Sequence, residues 1–246
     1  MSTFGDSVTT AVQLVVSMDP GLWTVVGRSL AVSATACALA CAVGLTLGAW
    51  LGVARFRGRG AVITVLNSAL AVPSVVVGLV VYLLLSRSGP LGFLGWLFSF
   101  QAMVLSQALL VLPVAMALTR QLIEDTDRQH GEQLASLGAG TAWRGALLVW
   151  DERYAMLTVV ITVFGRAIAE VGAVMIVGGN IEGFTRVMTT AIALETSKGD
   201  LPLALGLGIV LLTVVLVLNS LVSGLRRWRE RADSGAVPAS VAGWAT

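Results

Sequence analysis

The sequence predicts an all-α integral membrane protein with about five transmembrane helices. Hydrophobic residues make up 56% and charged residues only 12% of the 246 residues. The mean hydropathy of +0.86 is higher than a soluble domain of this size normally has. The apolar residues form long runs without the alternation of a barrel strand, and a helix satisfies its own backbone hydrogen bonds in lipid. These observations favour a bundle of membrane-crossing helices.

Five apolar runs reach about the 20 residues that a helix needs to cross the hydrocarbon layer. In chain order these predicted spans cover residues 22–53, 62–86, 98–118, 154–177 and 202–225. The first is longer than a crossing requires, so we expect it to tilt or to continue into water. The residues before it contain too short an apolar run for a sixth crossing and lack the basic start of a signal peptide.

Span one carries small residues at four-residue intervals, which places them along one helix face. These residues are Ala36, Ala40, Gly44, Gly48 and Gly52. Another helix can approach such a face closely. We interpret this small-residue ladder as helix packing in preference to a pore lining. Cys37 and Cys41 lie in the same run, and we expect them to pack as small residues rather than to form a disulfide or a redox pair.

Spans two and three each contain an internal proline, Pro73 and Pro113 respectively. A proline within a helix removes one backbone hydrogen bond and can bend the helix. Such bends suit a protein that opens and closes. Proline is nevertheless common in membrane helices, so these two positions alone do not establish a gate.

The basic residues predict the orientation, because cytoplasmic loops retain an excess of lysine and arginine. Eleven of the 16 basic residues follow spans one, three and five: Arg55, Arg57, Arg59, Arg120, Arg128, Arg144, Arg153, Arg226, Arg227, Arg229 and Arg231. The opposite side carries Arg28, Arg87, Arg186 and Lys198. Arg166 lies within span four. We therefore expect a multi-pass protein of the cell membrane, surrounded by lipid, with its N-terminus outside and its C-terminus in the cytoplasm.

This topology gives one transmembrane domain over residues 1–231, with a cytoplasmic loop at about residues 121–153. Residues 232–246 are rich in Ala, Ser, Gly and Pro and are predicted to form a flexible tail. Lys198 is the only lysine and lacks the upstream glycines of a phosphate-binding loop, so the chain does not itself hydrolyse ATP by that route. His130 is the only histidine, and we expect neither a metal site nor a cofactor in this chain. The net charge of +2 needs no nucleic acid to explain it.

The most informative part of the cytoplasmic loop is residues 131–151, which read GEQLASLGAGTAWRGALLVWD. The pattern predicts a short helix over residues 132–137, a break at residues 138–140 and a second helix from Ala142 onward. A compact helix–turn–helix of this kind projects from the membrane as a docking surface. The alternative is an amphipathic loop helix that rests on the membrane through its leucines.

This segment contains the pattern E-x-x-A-x-x-G at Glu132, Ala135 and Gly138. The pattern resembles the coupling motif of ABC-importer permeases. In that family the segment inserts into a cleft of a separate ATP-binding subunit, which binds the ATP. The resemblance assigns ATPase contact to the three motif residues, to Leu137 within the motif and to Leu148 at the later apolar position.

A second signature covers residues 164–200 and begins FGRAIAEVGAVMIVGGN. It resembles the oxyanion-importing branch of the same permeases, and tungstate permeases more than molybdate or sulfate permeases. The resemblance implies the type I importer fold and a homodimer, since one chain of five helices supplies half of the translocation path. It also implies two copies of an ABC ATP-binding subunit and an extracytoplasmic oxyanion-binding protein that delivers the anion.

Span four carries the two charges of this signature, Arg166 and Glu170. Residues four apart share a helix face, so we expect an ion pair that lowers the cost of burying either charge. The pair either gates or passes the anion, or fixes helix packing, and both remain open. Arg166 is the better attractor of a dianion, because like charges repel strongly in a low dielectric. The outer end of the span adds further candidates for the path or gate: Gly172, Gly178, Gly179 and Asn180.

Hydroxyl groups and one cation follow near the predicted outer mouth, at Thr185, Arg186, Thr189 and Thr190. They either pass the anion directly or belong to an outer-surface helix that receives the delivery protein. We favour the second interpretation.

Together these observations predict the permease subunit of an ATP-driven importer for a tetrahedral oxyanion. Tungstate is the first expectation, and molybdate and sulfate are the alternatives. The chain is not itself an enzyme, because the ATPase is a separate subunit. A secondary transporter would be expected to contain inverted repeats, and a membrane enzyme would need convergent acid, base or metal ligands on several spans. Neither pattern is evident in the sequence.

Overall fold

The computed structural model describes residues 8–9, 12–13, 15–17 and 19–234, without the side chains of Val222 and of residues 225–234. From Pro20 onward these residues form nine α-helices and one short 3-10 turn, and this part of the chain contains no β-strand. The helices are α1 (Pro20–Val53), α2 (Arg59–Leu70), α3 (Ser74–Leu85), α4 (Phe100–Ser136), α5 (Thr141–Asp151), α6 (Arg153–Ile168), α7 (Gly172–Gly178), α8 (Met188–Lys198) and α9 (Leu201–Ser234). The predicted all-α fold is confirmed.

The predicted number of membrane crossings agrees with these helices. Among the described residues, α1, α4 and the Leu201–Leu221 part of α9 are each long and apolar enough to cross a membrane. The other two predicted spans are bent pairs, with 98° between α2 and α3 and 57° between α6 and α7. Counting each bent pair as one crossing gives five. The structure therefore differs from the sequence prediction in the continuity of spans two and four, not in their number.

The break between α2 and α3 has a local cause. Pro73 precedes the first residue of α3 with φ −61° and ψ 133°, an extended conformation. Proline disfavours the helical conformation of the residue before it, so α2 ends ahead of it. Pro113, in contrast, lies inside α4 and does not interrupt that helix. Of the two predicted bends, only the one at Pro73 becomes a break.

The centre of the bundle is the contact between α1 and α4, and it uses the small-residue ladder. A Cβ atom on Gly48 would lie 2.7 Å from the carbonyl oxygen of Met116, and one on Gly44 would lie 2.6 Å from the Cβ of Ala115. Only residues without a side chain fit at such distances. The ladder therefore packs two helices together, as predicted. Cys37 and Cys41 are buried free thiols in the adjoining apolar cluster, which α6 completes.

Helix α4 is the longest element, and it reaches beyond the membrane. Its 37 residues correspond to about 55 Å at 1.5 Å per residue, against about 30 Å of hydrocarbon. It begins after Ser99, whose hydroxyl accepts from the backbone N–H of Ala102. At the other end it includes residues 132–136 of the segment 132–137 that was predicted as a separate short helix. The predicted helix–turn–helix is thus formed by the end of α4 and by α5.

Two further layers flank this central pair. On the predicted cytoplasmic side, α5 packs across the ends of α1 and α4 through Leu148, which is buried with Ala49, Val53, Ile123 and Met156. On the opposite side, α8 packs against α9, and α3 packs against α7. Helix α9 extends to Ser234, three residues past the predicted domain end, and residues 235–246 of the predicted tail lie outside the described residues.

Candidate functional site

The break between α6 and α7 holds the buried carboxylate of Glu170, which is 3% exposed. Arg166 Nη1 donates to Glu170 Oε2 at 2.9 Å, and the N–H of Ala173 donates to Oε1 at 3.2 Å. The hydroxyl of Ser74 also donates to this carboxylate. The predicted ion pair is confirmed, although α6 ends at Ile168 and the two residues do not share one continuous helix. Glu170 instead joins α6, α7 and α3.

Side chains from neighbouring helices satisfy the backbone groups that this break exposes. Gln107 of α4 donates from Nε2 to the carbonyl of Ala167 at 3.0 Å. Thr189 of α8 donates from its hydroxyl to the carbonyl of Glu170 at 2.7 Å. Irregular backbone at membrane depth is tolerated only where protein or water satisfies it in this way. Hydrogen bonds from α4 and α8 therefore stabilise the break between α6 and α7.

The breaks of spans two and four meet each other. A Cβ atom on Gly172 would lie 2.9 Å from the hydroxyl oxygen of Ser74, the first residue of α3. One turn further, a Cβ atom on Gly78 would lie 2.7 Å from Cα of Ala173. Helices α3 and α7 thus touch along their backbones, and the close approach expected at Gly172 is present.

The outer end of α7 has an unusual backbone. Gly179 has φ +68° and Asn180 has φ +50°, both in the left-handed region. The Nδ2 of Asn180 donates to the carbonyl of Thr190 at 3.3 Å. Gly178 lies against Met103, since a Cβ atom there would be 2.9 Å from the methionine sulfur. Gly178, Gly179 and Asn180 therefore form one tight turn, while Gly172 lies at the other end of α7.

The outer threonines lie inside this turn rather than on the surface. Thr185 is 1% exposed and donates to the carbonyl of Gly178, while Thr190 is fully buried and accepts from the N–H of Val187. Thr189 is the residue already described at Glu170. Arg186 lies beside them and forms ion pairs with Glu182 at 3.6 Å and with Glu195 at 3.8 Å. In this arrangement the hydroxyls of Thr185 and Thr190 bond to the turn and the loop after it, and the hydroxyl of Thr189 bonds to the α6–α7 break.

Arg166 differs from Glu170 in its exposure. Its side chain is 45% exposed, although it belongs to a predicted membrane span. Charged side chains in such spans face the interior of a bundle or a water-filled cavity. In a single copy of the chain, protein covers only about half of the Arg166 side chain.

The coupling motif lies at the end of α4. Glu132, Ala135 and Gly138 lie at the surface, and Leu137 is 82% exposed. Gly138 has φ +81°, which permits the turn that ends α4. Leu148 is different, because it is 2% exposed and packs inward. It attaches α5 to the bundle instead of facing outward.

Two exposed aromatic residues of α5 were not predicted as site residues. Trp143 is 64% exposed and Trp150 is 73% exposed. Large exposed aromatic side chains next to a motif are typical of interface anchors. The available sequence signal was the presence of tryptophan in a predicted water-facing loop.

Three arginines surround one carboxylate of α4, Glu124, which lies about two helical turns before Glu132. Glu124 accepts from Arg59 at 2.8 Å, from Arg120 at 2.7 Å and from Arg128 at 3.0 Å. Burial opposes its ionisation, but the hydrogen bonds from Arg59 and Arg128 and the charge of Arg120 outweigh burial and hold the pKa of the Glu124 carboxyl below its usual range. Glu124 lies beyond the predicted end of span three, in the predicted cytoplasmic loop. Arg59, predicted only as a topology signal, thus also joins the start of α2 to α4, while Arg120 and Arg128 pair with Glu124 along α4 itself.

Comparison with known proteins decides the family. No family model matches the chain. The tungstate uptake system permease protein TupB of Peptoclostridium acidaminophilum is 43% identical over 226 residues, which are 92% of this chain and 99% of that protein. A probable anion ABC transporter permease protein of Haloferax volcanii is 40% identical over 85% of this chain and 91% of its own length. This chain belongs to the family of anion ABC transporter permeases.

The permease also matches a more distant relative, the molybdenum transport system permease protein ModB of Escherichia coli, at 31% identity over 85% of this chain. The membership agrees with the five predicted crossings. An ABC transporter permease is a multi-pass membrane subunit and not itself an enzyme, because the ATPase is a separate chain. It works with an ATP-binding subunit and a substrate-binding protein.

Proposed function

We propose that this permease is the translocation subunit of an ATP-driven tungstate importer. The observation that carries the substrate is the 43% identity, over 92% of the chain, to a permease named for tungstate uptake. A second tungstate uptake permease, from Campylobacter jejuni, is 39% identical over 66% of the chain. The molybdenum permease ModB, at 31%, and the sulfate permease CysW, at 32%, of Escherichia coli support molybdate and sulfate as the alternative substrates.

The translocation path lies, in this proposal, between two copies of the chain. Arg166 supports this placement, because a half-exposed guanidinium in a membrane span requires a polar or protein-lined environment. Helix α3 exposes Val75, Val76 and Leu79, and its first residue, Ser74, donates to Glu170, the partner of Arg166. A second copy against this face would enclose Arg166 in a path for a dianion. Glu170 would neutralise part of its charge, so that the anion passes without being held tightly.

The outer surface receives the delivery protein, with the N-terminus on the same side. The groups available for this contact are exposed residues of the loop before α8, since Glu182 is 84% and Phe184 is 59% exposed. Arg186 anchors this loop through its two ion pairs, and Thr185, Thr189 and Thr190 shape it from inside. The turn at Gly179 and Asn180 connects the loop to the wall of the path.

The ATP-binding subunit docks on the opposite face. Its contact surface consists of Glu132, Ala135, Leu137 and Gly138, with Trp143 as a neighbouring anchor. Leu148 contributes from inside by fixing α5. We name Glu132, Ala135, Leu137, Gly138 and Trp143 together the docking surface.

Replacement of Gly138 by tryptophan is expected to weaken ATPase binding by about tenfold or more, because a bulky side chain would stand in the centre of the docking surface. Glu132→Arg, which reverses an exposed charge there, is expected to act in the same direction. The affinity of the purified ATPase subunit for detergent-solubilised permease measures the effect. Gly58→Trp is the matched control. Gly58 also has a positive φ and, like Gly138, has no described atom beyond its chain neighbours within 4 Å of an added Cβ. It is not part of the docking surface. Wild-type affinity in both docking variants would contradict the assignment.

Elemental analysis of cells tests the function as a whole. Cells lacking and carrying the permease, together with its ATPase and binding protein, are compared in medium containing tungstate, molybdate and sulfate. We expect tungstate accumulation that requires ATP hydrolysis and persists in excess sulfate. Preferential accumulation of molybdate or sulfate would show that this anion, and not tungstate, is the substrate. Accumulation with an inactive ATPase would overturn the importer mechanism.

A further inference from the structure

An ion pair joins α5 to the part of α4 that follows the predicted end of span three. Arg144 of α5 donates from Nη2 to Oδ1 of Asp127 on α4 at 2.5 Å. The side chains are 19% and 4% exposed, respectively. Arg55 lies 3.9 Å from the other carboxylate oxygen. Exposed ion pairs contribute little, but a buried carboxylate that loses its partner is strongly unfavourable, so this contact fixes the relative position of the two helices.

The pair occupies a space that only glycine leaves open. Gly131 lies one helical turn after Asp127, and a Cβ atom there would be 2.6 Å from Asp127 Oδ1 and 3.2 Å from Arg144 Nη2. Any side chain at this position would displace the carboxylate, the guanidinium or both. Glycine lowers the stability of a helix relative to alanine, and here the ion pair accounts for its presence. The motif residue Glu132 follows immediately.

A second attachment holds the other side of α5. Leu148 is buried against Ala49 and Ile123, and a Cβ atom on Gly145 would lie 3.5 Å from the carbonyl oxygen of Ala49. Helix α5 is thus connected to α4 by charge and to the α1–α4 contact by apolar packing. Trp143 remains on the outward side. A force applied at Trp143, the part of the docking surface that lies on α5, therefore reaches α4 through two separate contacts.

We propose that Asp127 and Arg144 are positioning residues for coupling: their ion pair transmits movement of the ATPase from α5 to α4, with Gly131 providing its space. This role rests on the proposed docking of an ABC ATPase at the surface defined above. It differs from docking, because none of the three residues belongs to that surface. The pair acts on the efficiency with which hydrolysis drives transport.

Reconstituted permease with its ATPase and binding protein tests this role. Two quantities are measured separately: the affinity of the ATPase subunit, and the amount of tungstate transported per ATP hydrolysed. Asp127→Asn, Arg144→Gln and Gly131→Ala are each expected to lower the transport ratio by about tenfold with affinity within about threefold, as expected for loss of an interaction used only during turnover. The double variant Asp127→Asn/Arg144→Gln is expected to be no worse than the more affected single variant, because the two residues act as a unit.

Asp125→Asn is the matched control, since this carboxylate lies two residues away on α4, is 57% exposed and forms a 3.8 Å ion pair with the exposed Arg128. It is expected to retain the wild-type transport ratio. Wild-type ratios in all three test variants would overturn the positioning role. Loss of folded permease from the membrane, or loss of affinity in parallel with the ratio, would also overturn it in favour of a purely structural contact. If wild-type permease bound no ABC ATPase, the proposed function itself would fail, which is a different result.

Discussion

Glu170→Ala is expected to reduce tungstate uptake by about 100-fold while the ATPase subunit still binds. Removing one member of a buried ion pair costs about 3–5 kcal/mol, and the half-exposed Arg166 lowers that value here. The substitution also deprives the N–H of Ala173 and the hydroxyl of Ser74 of their acceptor. Helices α6, α7 and α3 then lose the group that joins them. Uptake and ATPase affinity, measured on the same preparation, report the two functions separately.

Related variants separate charge from shape at this position. Glu170→Gln keeps an oxygen for the N–H of Ala173 but removes the charge that neutralises Arg166, so an intermediate loss of uptake is expected. Arg166→Ala is expected to reduce uptake with ATPase binding intact. Asp125→Ala, which removes an exposed carboxylate, provides the control. If Glu170→Ala or Arg166→Ala instead dissociated the assembled permease, the pair would serve helix packing and not the path.

Gly48→Ala is expected to destabilise the permease by about 3 kcal/mol, at the upper end of the range for overpacked cores. The added Cβ atom would lie 2.7 Å from the carbonyl oxygen of Met116 and 2.9 Å from the Cβ of Thr119. A backbone oxygen does not move independently of its helix, so α1 and α4 must separate. The measurement is the melting temperature of detergent-solubilised permease, together with its yield.

Gly27→Ala is the matched control, because it makes the same change on the same helix where, apart from the backbone of α1 itself, no described atom lies within 4 Å of the new Cβ. Alanine is favoured over glycine in a helix by about 0.5–1 kcal/mol, so this variant is expected to be unchanged or slightly more stable. Equal melting temperatures for Gly48→Ala and wild type would show that the α1–α4 contact is looser than the distances indicate.

The sequence was informative where one local pattern determines one structural feature. The apolar runs predicted the number of crossings, and the four-residue spacing of small residues predicted the packing face of α1. Pro73 marked the break of span two. The spacing of Arg166 and Glu170 predicted their ion pair. Each of these features depends on residues within a few turns of one another.

Features that depend on distant residues were not accessible in the same way. No proline marks the break between α6 and α7, and a hydropathy run measures composition rather than continuity. Gln107, which satisfies the exposed carbonyl of Ala167, is 60 residues away in the chain. Asp127 and Arg144 are 17 residues apart on different helices. Leu148 was assigned by motif position, and Thr185 and Thr190 by their place near the predicted outer mouth. Neither signal reveals that their side chains point inward.

The continuity of α4 also restricts which sequence changes this permease tolerates. One inserted residue between Leu118 and Asp127 would rotate everything beyond it by about 100° and advance it by about 1.5 Å. Leu148, which follows on α5, would then be turned away from Ala49 of α1, and the docking surface would turn to another side of the molecule. The shortest insertion that restores the original direction to within about 20° is seven residues, and it displaces the surface by about 10 Å. Divergence within the family is therefore expected to accumulate in α4 as substitutions, while insertions and deletions fall in the loops outside it.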